Sequence, residues 1–410
     1  MLTSTKLREL INRLAPAIES SGLDFPHVHF DLVDTQTLGA IAAYSGMPTR
    51  FAHWSFGKAF HQMKTSHDYR LTQIYELVIN NRPAYAFLDR NTNPAQALLI
   101  VAHVVAHVDF FAHNRLFWTT PQEMVAKMAL HKRKFEHWRQ LYGAERVESL
   151  IDAAMVLMDF AGEAPRIPLM GQSSDDILGH IILHAPGLEE WEKDALGMLH
   201  AEARYFWPQQ LSKIANEGYA TFWHQHLLQQ VDLTAEESWE ISRLHAKVVE
   251  THPPQLNPYR LGAAIYKSLW QAGGWDAVWR ARNEFDDVGL IRAGLTENIL
   301  PQAGLALYRP AESQPEPRQA PFALIKSQLL RDLENAGIPH LTVDRARCTT
   351  ELVLQHRHDG RDLDFALLPF ALQMIAQRLW KGKVTVYTMR NRMGRTVSHD
   401  GDHWMDSATG

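Results

Sequence analysis

Cysteine, an excess of charge of one sign and long apolar runs are all scarce in this chain of 410 residues. The single cysteine, Cys348, excludes a disulfide within the chain and is typical of proteins from a reducing compartment. The formal net charge is −5, from 41 basic and 46 acidic side chains, which gives no large basic surface for nucleic-acid phosphates. We therefore expect a cytoplasmic protein with no nucleic-acid partner.

The apolar residues, 46% of the chain, are enough for a sizeable core but are not gathered into long runs. The longest apolar segment, 97–108, is shorter than the roughly 20 residues of a membrane-spanning helix and contains two histidines. The first 22 residues alternate polar and apolar positions at helical spacing and lack the continuous apolar segment of a signal peptide. The sequence thus predicts no transmembrane segment and no export signal.

Helical spacing of apolar residues dominates the first three quarters of the chain, and Pro208 is predicted to end the helix that begins at Leu188. Alternating patterns predict only a small sheet there, with a strand at Val28–Val33 and a hairpin formed by Tyr75–Ile79 and Ala84–Leu88. A proline-rich polar segment, 309–321, predicts a linker. The predicted fold class is α+β, with a mainly helical domain followed by a small α+β C-terminal module. A strand hairpin before a histidine-bearing helix resembles the order found in zincin metalloproteases, which implies that the helical domain is zincin-like. The predicted domain, linker, module and flexible polar tail cover residues 1–308, 309–321, 322–397 and 398–410.

The clearest chemical feature is a pair of histidines, His103 and His107, inside the apolar segment. Positions i and i+4 share a helical face, so both rings could bind one metal ion. Downstream, the segment ANEGYATFWH predicts a second helix with Glu217 and His224 on one face and with Asn216 in reach of the helix start. Two histidines and one glutamate form the donor set of catalytic zinc sites that leave one position for water. We therefore predict a zinc ion, or another divalent metal, bound by His103, His107 and Glu217.

Six segments, in this order along the chain, carry a resemblance to a known family: GMPTRFAHWSFGKAF, YELVINNRPAYAF, AHVVAHVDFFAHN, YFWPQ, ANEGYATFWH and NPYRLG. Together they resemble the SpoVR family, from about Pro26 through the C-terminal module. The resemblance implies a bacterial protein linked, in sporulating species, to the peptidoglycan cortex of the spore. It therefore implies a protein or peptidoglycan-related partner, and identifies a family rather than a reaction. Compared with other members, this chain is expected to be shorter between about Ala164 and Leu188.

A second resemblance concerns the chemistry of the site. The segment NEGYA resembles the NEGFA-type segment of gluzincin aminopeptidases, which implies that Glu217 is the third zinc ligand. Gluzincins carry the motif H-E-x-x-H, whereas this chain has valine, Val104, where they have the general-base glutamate. The acid or base must then come from another segment. The candidates are His224, Glu202 and Glu76.

Other polar residues compete with this assignment or surround it. His180 and His184 also have four-residue spacing, but Pro186 follows directly and no carboxylate motif accompanies them. Near the first pair, His113 and Asn114 are predicted to cap the helix or support a ligand, and Asp109 is predicted to be structural.

Three functions remain open from the sequence. The first is a metal-dependent amide hydrolase acting on a peptide or peptidoglycan-related substrate. The second is a zincin-like pseudoenzyme or regulatory binding protein without turnover, which the missing H-E-x-x-H glutamate favours. The third is a non-haem iron oxygenase, which uses the same donor set but for which the sequence has no cosubstrate signature.

Overall fold

The computed structural model describes residues 1–56, 76–161, 176–251, 255–309, 316–318, 320–348 and 350–409. Contacts between the elements divide the chain into two compact units, and each unit combines two separate segments. These are Met1–Ala126 with Gln209–Leu333, and Lys127–Pro208 with Glu334–Gly410. This division differs from the single boundary predicted at 309–321. Each unit is built from two segments that are far apart in the sequence, and the amino-acid composition does not change where the chain passes from one unit to the other.

The described helices are α1 (Ser4–Ser21), α2 (Thr35–Ala43), α3 (Pro94–His113), α4 (Met124–Tyr142), α5 (Ala144–Met155), α6 (Ile177–His184), α7 (Glu190–Leu211), α8 (Lys213–Leu228), α9 (Ala235–Val248), α10 (Pro258–Glu284), α11 (Asp287–Gly294), α12 (Leu300–Ala303), α13 (Phe322–Leu333) and α14 (Leu368–Met374). The described strands are β1 (Val28–Val33), β2 (Glu76–Ile79), β3 (Ala84–Asp89), β4 (Leu307–Arg309), β5 (Glu316–Arg318), β6 (His340–Val343), β7 (Leu352–Arg357), β8 (Val384–Arg390), β9 (Met393–His399) and β10 (Trp404–Ala408). The fold is α+β, with a helical main body and a sheet-containing C-terminal part, as the sequence predicts.

The first unit contains a three-stranded sheet in the order β1-β3-β2. Strands β2 and β3 form the predicted antiparallel hairpin, with Glu76 opposite Leu88. Strand β1 lies parallel to β3, with Val28 opposite Ala84. This parallel pairing joins distant segments and could not be read from the local alternation of residues.

Helix α3 is the buried centre of the first unit. Its first turn is capped by Asn93, whose side-chain oxygen accepts a hydrogen bond from the backbone N–H of Gln96 at 2.8 Å. Every residue from Ala97 to Phe111 is buried. By length and composition the whole helix could cross a membrane, unlike the shorter segment 97–108, but 89% of its apolar window is buried inside the protein. It therefore has the character of a core helix.

Helices α8 and α10 cross where two glycines meet. A Cβ atom on Gly218 would lie 2.2 Å from the Cα of Gly262, and one on Gly262 would lie 2.3 Å from the carbonyl oxygen of Ile214. No side chain fits between backbones this close, so only glycine permits the contact. This contact explains the glycines of the NEGYA and NPYRLG segments and sets the position of Glu217 beside α3.

Helix α7 does not end where the sequence predicts. The chain continues in helical geometry through Pro208 to Leu211, and α8 begins directly after Ser212. A proline removes one backbone N–H donor, but the rest of the turn can still form. The helix thus ends one turn later than predicted, immediately before the helix that carries Glu217.

The second unit contains a five-stranded sheet in the order β10-β9-β8-β7-β6. The tail predicted to be flexible from residue 398 instead completes β9 and forms β10, with Trp404 paired opposite His399. Strand β10 is mostly exposed, so its order comes from backbone pairing rather than from an apolar pattern. Within the predicted linker, β4 and β5 pair as a short two-stranded sheet, with Leu307 opposite Arg318.

Candidate metal centre

The structure brings together the three predicted metal ligands on two neighbouring helices of the first unit. His103 and His107 on α3 face Glu217 on α8, whose Oε2 lies 3.6 Å from His103 Nε2 and 3.3 Å from His107 Nε2. The potential ligand atoms lie within 4.8 Å of one another, the only such group of three or more within the described residues. Both rings are buried, and 21% of the Glu217 side chain is exposed. The spacing predicted from the sequence therefore yields one compact cluster.

The ring of His107 is held in one tautomer. Its Nδ1 lies 2.8 Å from the amide oxygen of Asn216, so Nδ1–H donates to that oxygen. In the neutral ring the lone pair is then on Nε2, which points at Glu217. Histidines that bind metals commonly donate their other N–H to an oxygen in this way. The asparagine of the NEG segment thus orients a predicted ligand, a role that the sequence did not assign to it.

The ring of His103 forms a hydrogen bond with His224 on the side away from Glu217, where their Nδ1 atoms are 3.0 Å apart. Its other nitrogen, Nε2, and Glu217 Oε2 are buried without a hydrogen-bond partner. Buried polar atoms are nearly always paired, so two such atoms that face each other require an explanation. A cation between them would satisfy both.

The charges at the cluster follow from burial and proximity. Burial lowers the pKa of His103, as does the nearby His107. Burial alone raises the pKa of Glu217, but the adjacent rings of His107 and His103 outweigh that effect, so this pKa lies below its ordinary value. The cluster therefore combines the ionised carboxylate of Glu217 with the imidazole of His103, and burial favours the neutral form of that imidazole.

Of the predicted acid/base candidates, His224 adjoins the cluster. It is buried, with one ring nitrogen on His103 and the other, Nε2, 3.0 Å from Nδ1 of His245. Burial and the neighbouring histidines, His103 first, hold the pKa of His224 well below its ordinary value. His224 therefore lies behind a ligand, between two other rings. The sequence around His245, which lies on α9, contains no motif that would have predicted a role for this residue at the site.

The other two candidates lie elsewhere. Glu202 belongs to the second unit, where its buried carboxylate lies 2.9 Å from Nδ1 of His131. Glu76 begins β2, and its side chain lies outside the part of the chain that the structure describes. Glu202 is thus engaged by a histidine of its own unit.

The competing histidine pair, His180 and His184, lies on α6 of the second unit with ring centroids 4.5 Å apart. The ring of His180 stacks on Trp380 at 6.0 Å, and burial lowers the pKa of His180 to about 4. No carboxylate joins the pair in a three-ligand group among the described side chains. The pair packs against an aromatic ring and lacks the third donor that the first cluster has.

Asp109, two residues beyond His107, is structural as predicted. It is fully buried and ion-paired with Arg282 of α10 at 2.9 Å, and its Oδ2 accepts a 2.6 Å hydrogen bond from the hydroxyl of Tyr219 on α8. Burial, and then the charge of Asp109, raise the pKa of Tyr219 well above its ordinary value, so the hydroxyl remains a donor. This network joins the helices that carry the ligands.

The residues that follow on α3 are also structural. The side-chain oxygen of Asn114 accepts a hydrogen bond from the backbone N–H of Leu116, which caps the next turn as predicted. The ring of His113 contacts the backbone carbonyl of Asp24 through Nε2 at 2.6 Å. Both residues fix the end of α3 rather than the ligand rings.

A family model described as SpoVR like protein matches residues 2–168 and 162–338. This match begins and ends earlier than the span from Pro26 through the C-terminal module that the motifs indicate. Its two parts meet at the start of the region where the sequence predicts a shortened chain. That shortening stays a prediction.

One curated relative is the "Uncharacterized protein YcgB" of Escherichia coli (strain K12), which is 27% identical over 307 residues. The alignment covers 60% of this chain and 59% of that protein, so the chain spans about three fifths of the relative's length. No solved structure matches the chain. The ordered motifs supply the residues of the cluster, and the family match covers most of the sequence: the chain belongs to the SpoVR family.

Proposed function

We propose that this protein is a metal-dependent hydrolase whose divalent cation is held by His103, His107 and Glu217. The supporting observation is the convergence of two imidazole nitrogens on one carboxylate oxygen, at 3.6 and 3.3 Å. Two of these three atoms, His103 Nε2 and Glu217 Oε2, are buried without a hydrogen-bond partner. A divalent cation between these atoms would pair with both of them.

The donor types favour zinc. Imidazole nitrogen and carboxylate oxygen suit Zn²⁺, and two histidines with one glutamate leave a position open for water. Non-haem Fe²⁺ sites use the same set, so the metal has to be identified by elemental analysis. Asn216 completes the fit because it holds His107 in the tautomer that presents Nε2.

The chemistry that this set of residues supports is hydrolysis. A bound divalent cation lowers the pKa of water toward about 7 and polarises a carbonyl group. Around it, Asn216 orients His107 and His224 orients His103, while Glu217 contributes the negative charge that retains the cation. The amide class of substrate, a peptide or peptidoglycan-related molecule, rests on the family resemblance and on the NEGYA segment.

A binding protein without turnover is the second candidate, and one observation favours it. Val104, at the position of the H-E-x-x-H base, is fully buried. Glu202 is engaged by His131, and His224 lies between two rings. Among the described side chains, the predicted bases are thus not free to act beside the cluster, and hydrolysis would depend on the metal-bound water itself.

The variant Glu217→Ala separates the proposals. Wild-type protein, purified without a metal-chelating tag, is expected to contain about one zinc per chain by elemental analysis. We expect Glu217→Ala to lose most of that zinc, because one of three protein ligands is removed, and to lose hydrolysis of a peptidoglycan-derived peptide. Glu236→Gln is the matched control, since Glu236 is exposed on α9 and should keep both properties.

Loss of zinc together with loss of hydrolysis supports the enzyme. If wild type contains zinc but never hydrolyses the peptide, and Glu217→Ala loses the zinc but still binds the peptide, the binding protein is supported. Equal zinc in Glu217→Ala and wild type contradicts the metal centre itself.

The support of His107 gives a further prediction. Asn216→Leu removes the oxygen that fixes the His107 tautomer, and zinc affinity should fall by about 10- to 100-fold. Asn216→Asp keeps an acceptor at that position and should retain most of the affinity. Competition with a chromogenic zinc chelator measures both variants. If Asn216→Leu binds zinc as tightly as wild type, the inferred orientation of His107 is wrong.

A further inference from the structure

A chain of three histidines leads from the proposed metal centre to the protein surface. Nδ1 of His103 lies 3.0 Å from Nδ1 of His224, and Nε2 of His224 lies 3.0 Å from Nδ1 of His245. The chain ends at the side-chain amide of Gln225, 2.6 Å from Nε2 of His245. Burial decreases along this path, since His224 is buried, His245 is half-buried and Gln225 is exposed. The first ring is a proposed ligand and the last residue meets solvent.

Hydrogen bonding couples the tautomers of these rings. A neutral imidazole carries one N–H, so a ring within such a chain donates through one nitrogen and accepts through the other. In the outward direction, His103 donates to His224, His224 to His245, and His245 to an oxygen of Gln225. His103 Nε2 then has a lone pair and can bind a metal. In the inward direction every donor is reversed, and His103 Nε2 carries a hydrogen that prevents metal binding.

Gln225 suits both directions. Its amide offers an oxygen acceptor on one side and an N–H donor on the other, and rotation about the last side-chain bond exchanges them. In the structure the amide nitrogen faces His245, which corresponds to the inward direction. Metal binding at His103 therefore requires the amide to present its oxygen instead.

We propose that Gln225 is a positioning residue for the metal centre and acts through His245 and His224 to select the tautomer of His103. The amide orientation at the surface thereby sets the metal affinity of a buried ring. This inference rests on the proposed function, because only a metal ligand makes the choice of tautomer consequential. This role also explains why His224 is buried between His103 and His245, although it contacts the ring of His103 on the side away from Glu217.

Two substitutions at the exposed end test the inference. Gln225→Glu leaves only acceptors and selects the outward direction, whereas Gln225→Lys leaves only donors and selects the inward direction. At pH 8, where imidazoles are neutral, Gln225→Lys should bind Zn²⁺ about 10- to 100-fold more weakly than Gln225→Glu. Gln229→Glu and Gln229→Lys introduce the same charges one turn further along, at another exposed position, and should differ by less than about threefold.

A second measurement does not depend on the metal. In protein labelled with ¹⁵N-histidine and free of metal, imidazole nitrogen shifts distinguish N–H from lone pair. His103 should carry its hydrogen on Nδ1 in Gln225→Glu and on Nε2 in Gln225→Lys. The same His103 tautomer in both variants, or equal zinc affinities, overturns the inference. Absence of zinc from the wild type overturns the proposed function instead, and the tautomer measurement distinguishes that case.

Discussion

Arg282→Met should lower the free energy of unfolding by about 3–5 kcal/mol, because it leaves the carboxylate of Asp109 buried without its cation. Asp109 is fully buried, and both of its oxygens accept from the Arg282 guanidinium, at 3.0 and 2.9 Å. Methionine keeps much of the apolar volume of the arginine side chain, so the loss reports the charge rather than a cavity. The remaining hydrogen-bond donors, the Tyr219 hydroxyl and the Asp24 backbone N–H, are neutral, and the ring of His113 lies further away, with Nε2 3.7 Å from Oδ1.

Denaturant unfolding followed by circular dichroism measures this loss. Arg280→Met is the matched control on the same helix, since Arg280 is exposed and pairs with Glu284 at the surface. Its effect should stay within about 0.5 kcal/mol. If Arg282→Met lowers the free energy of unfolding no more than Arg280→Met does, the buried ion pair does not stabilise the packing of α3 against α10.

Gly218→Ala is expected to lower the free energy of unfolding by about 3 kcal/mol or more. It should also lower the zinc affinity of the proposed metal centre. The added Cβ would meet backbone atoms of Gly262 at 2.2 and 2.4 Å, which no side-chain rotation can relieve. Helices α8 and α10 must then separate. Because Glu217 precedes this glycine directly, its carboxylate would shift relative to His103 and His107, and zinc affinity should fall with stability.

Gly197→Ala provides the comparison. Gly197 lies inside α7, and a Cβ added there would meet no atom within 4 Å from other parts of the described chain, so the same change should be neutral or increase the free energy of unfolding by up to about 1 kcal/mol. Thermal unfolding and zinc titration of both variants test the expectation. A Gly218→Ala protein as stable as wild type would show that the two helices are not in backbone contact.

The sequence predicts the elements of the fold better than their arrangement. Local patterns suffice for α1, β1 and the β2–β3 hairpin, because apolar spacing and turn residues are properties of neighbouring positions. The parallel pairing of β1 with β3 and the two-segment units depend on contacts between distant residues. Strand β10 escapes prediction because its backbone pairing leaves no apolar alternation in WMDSA.

The centre shows the same limit. Four-residue spacing was enough to place His103 and His107 on one face, and the NEGYA segment was enough to select Glu217. The residues that hold the ligands were not selected, because Asn216 was assigned to the helix start and His245 lies in an ordinary amphipathic helix. Asn216 and His245 act through contacts with residues that are distant in the sequence, and no local sequence pattern predicts such contacts.

The most direct measurement is anomalous X-ray scattering at the zinc edge from crystals of untagged protein. We expect one strong peak in the first unit, about 2.0–2.2 Å from Nε2 of His103, Nε2 of His107 and a carboxylate oxygen of Glu217. Crystals grown with zinc that show no peak there, or that show both imidazole rings turned away from the carboxylate, would contradict it.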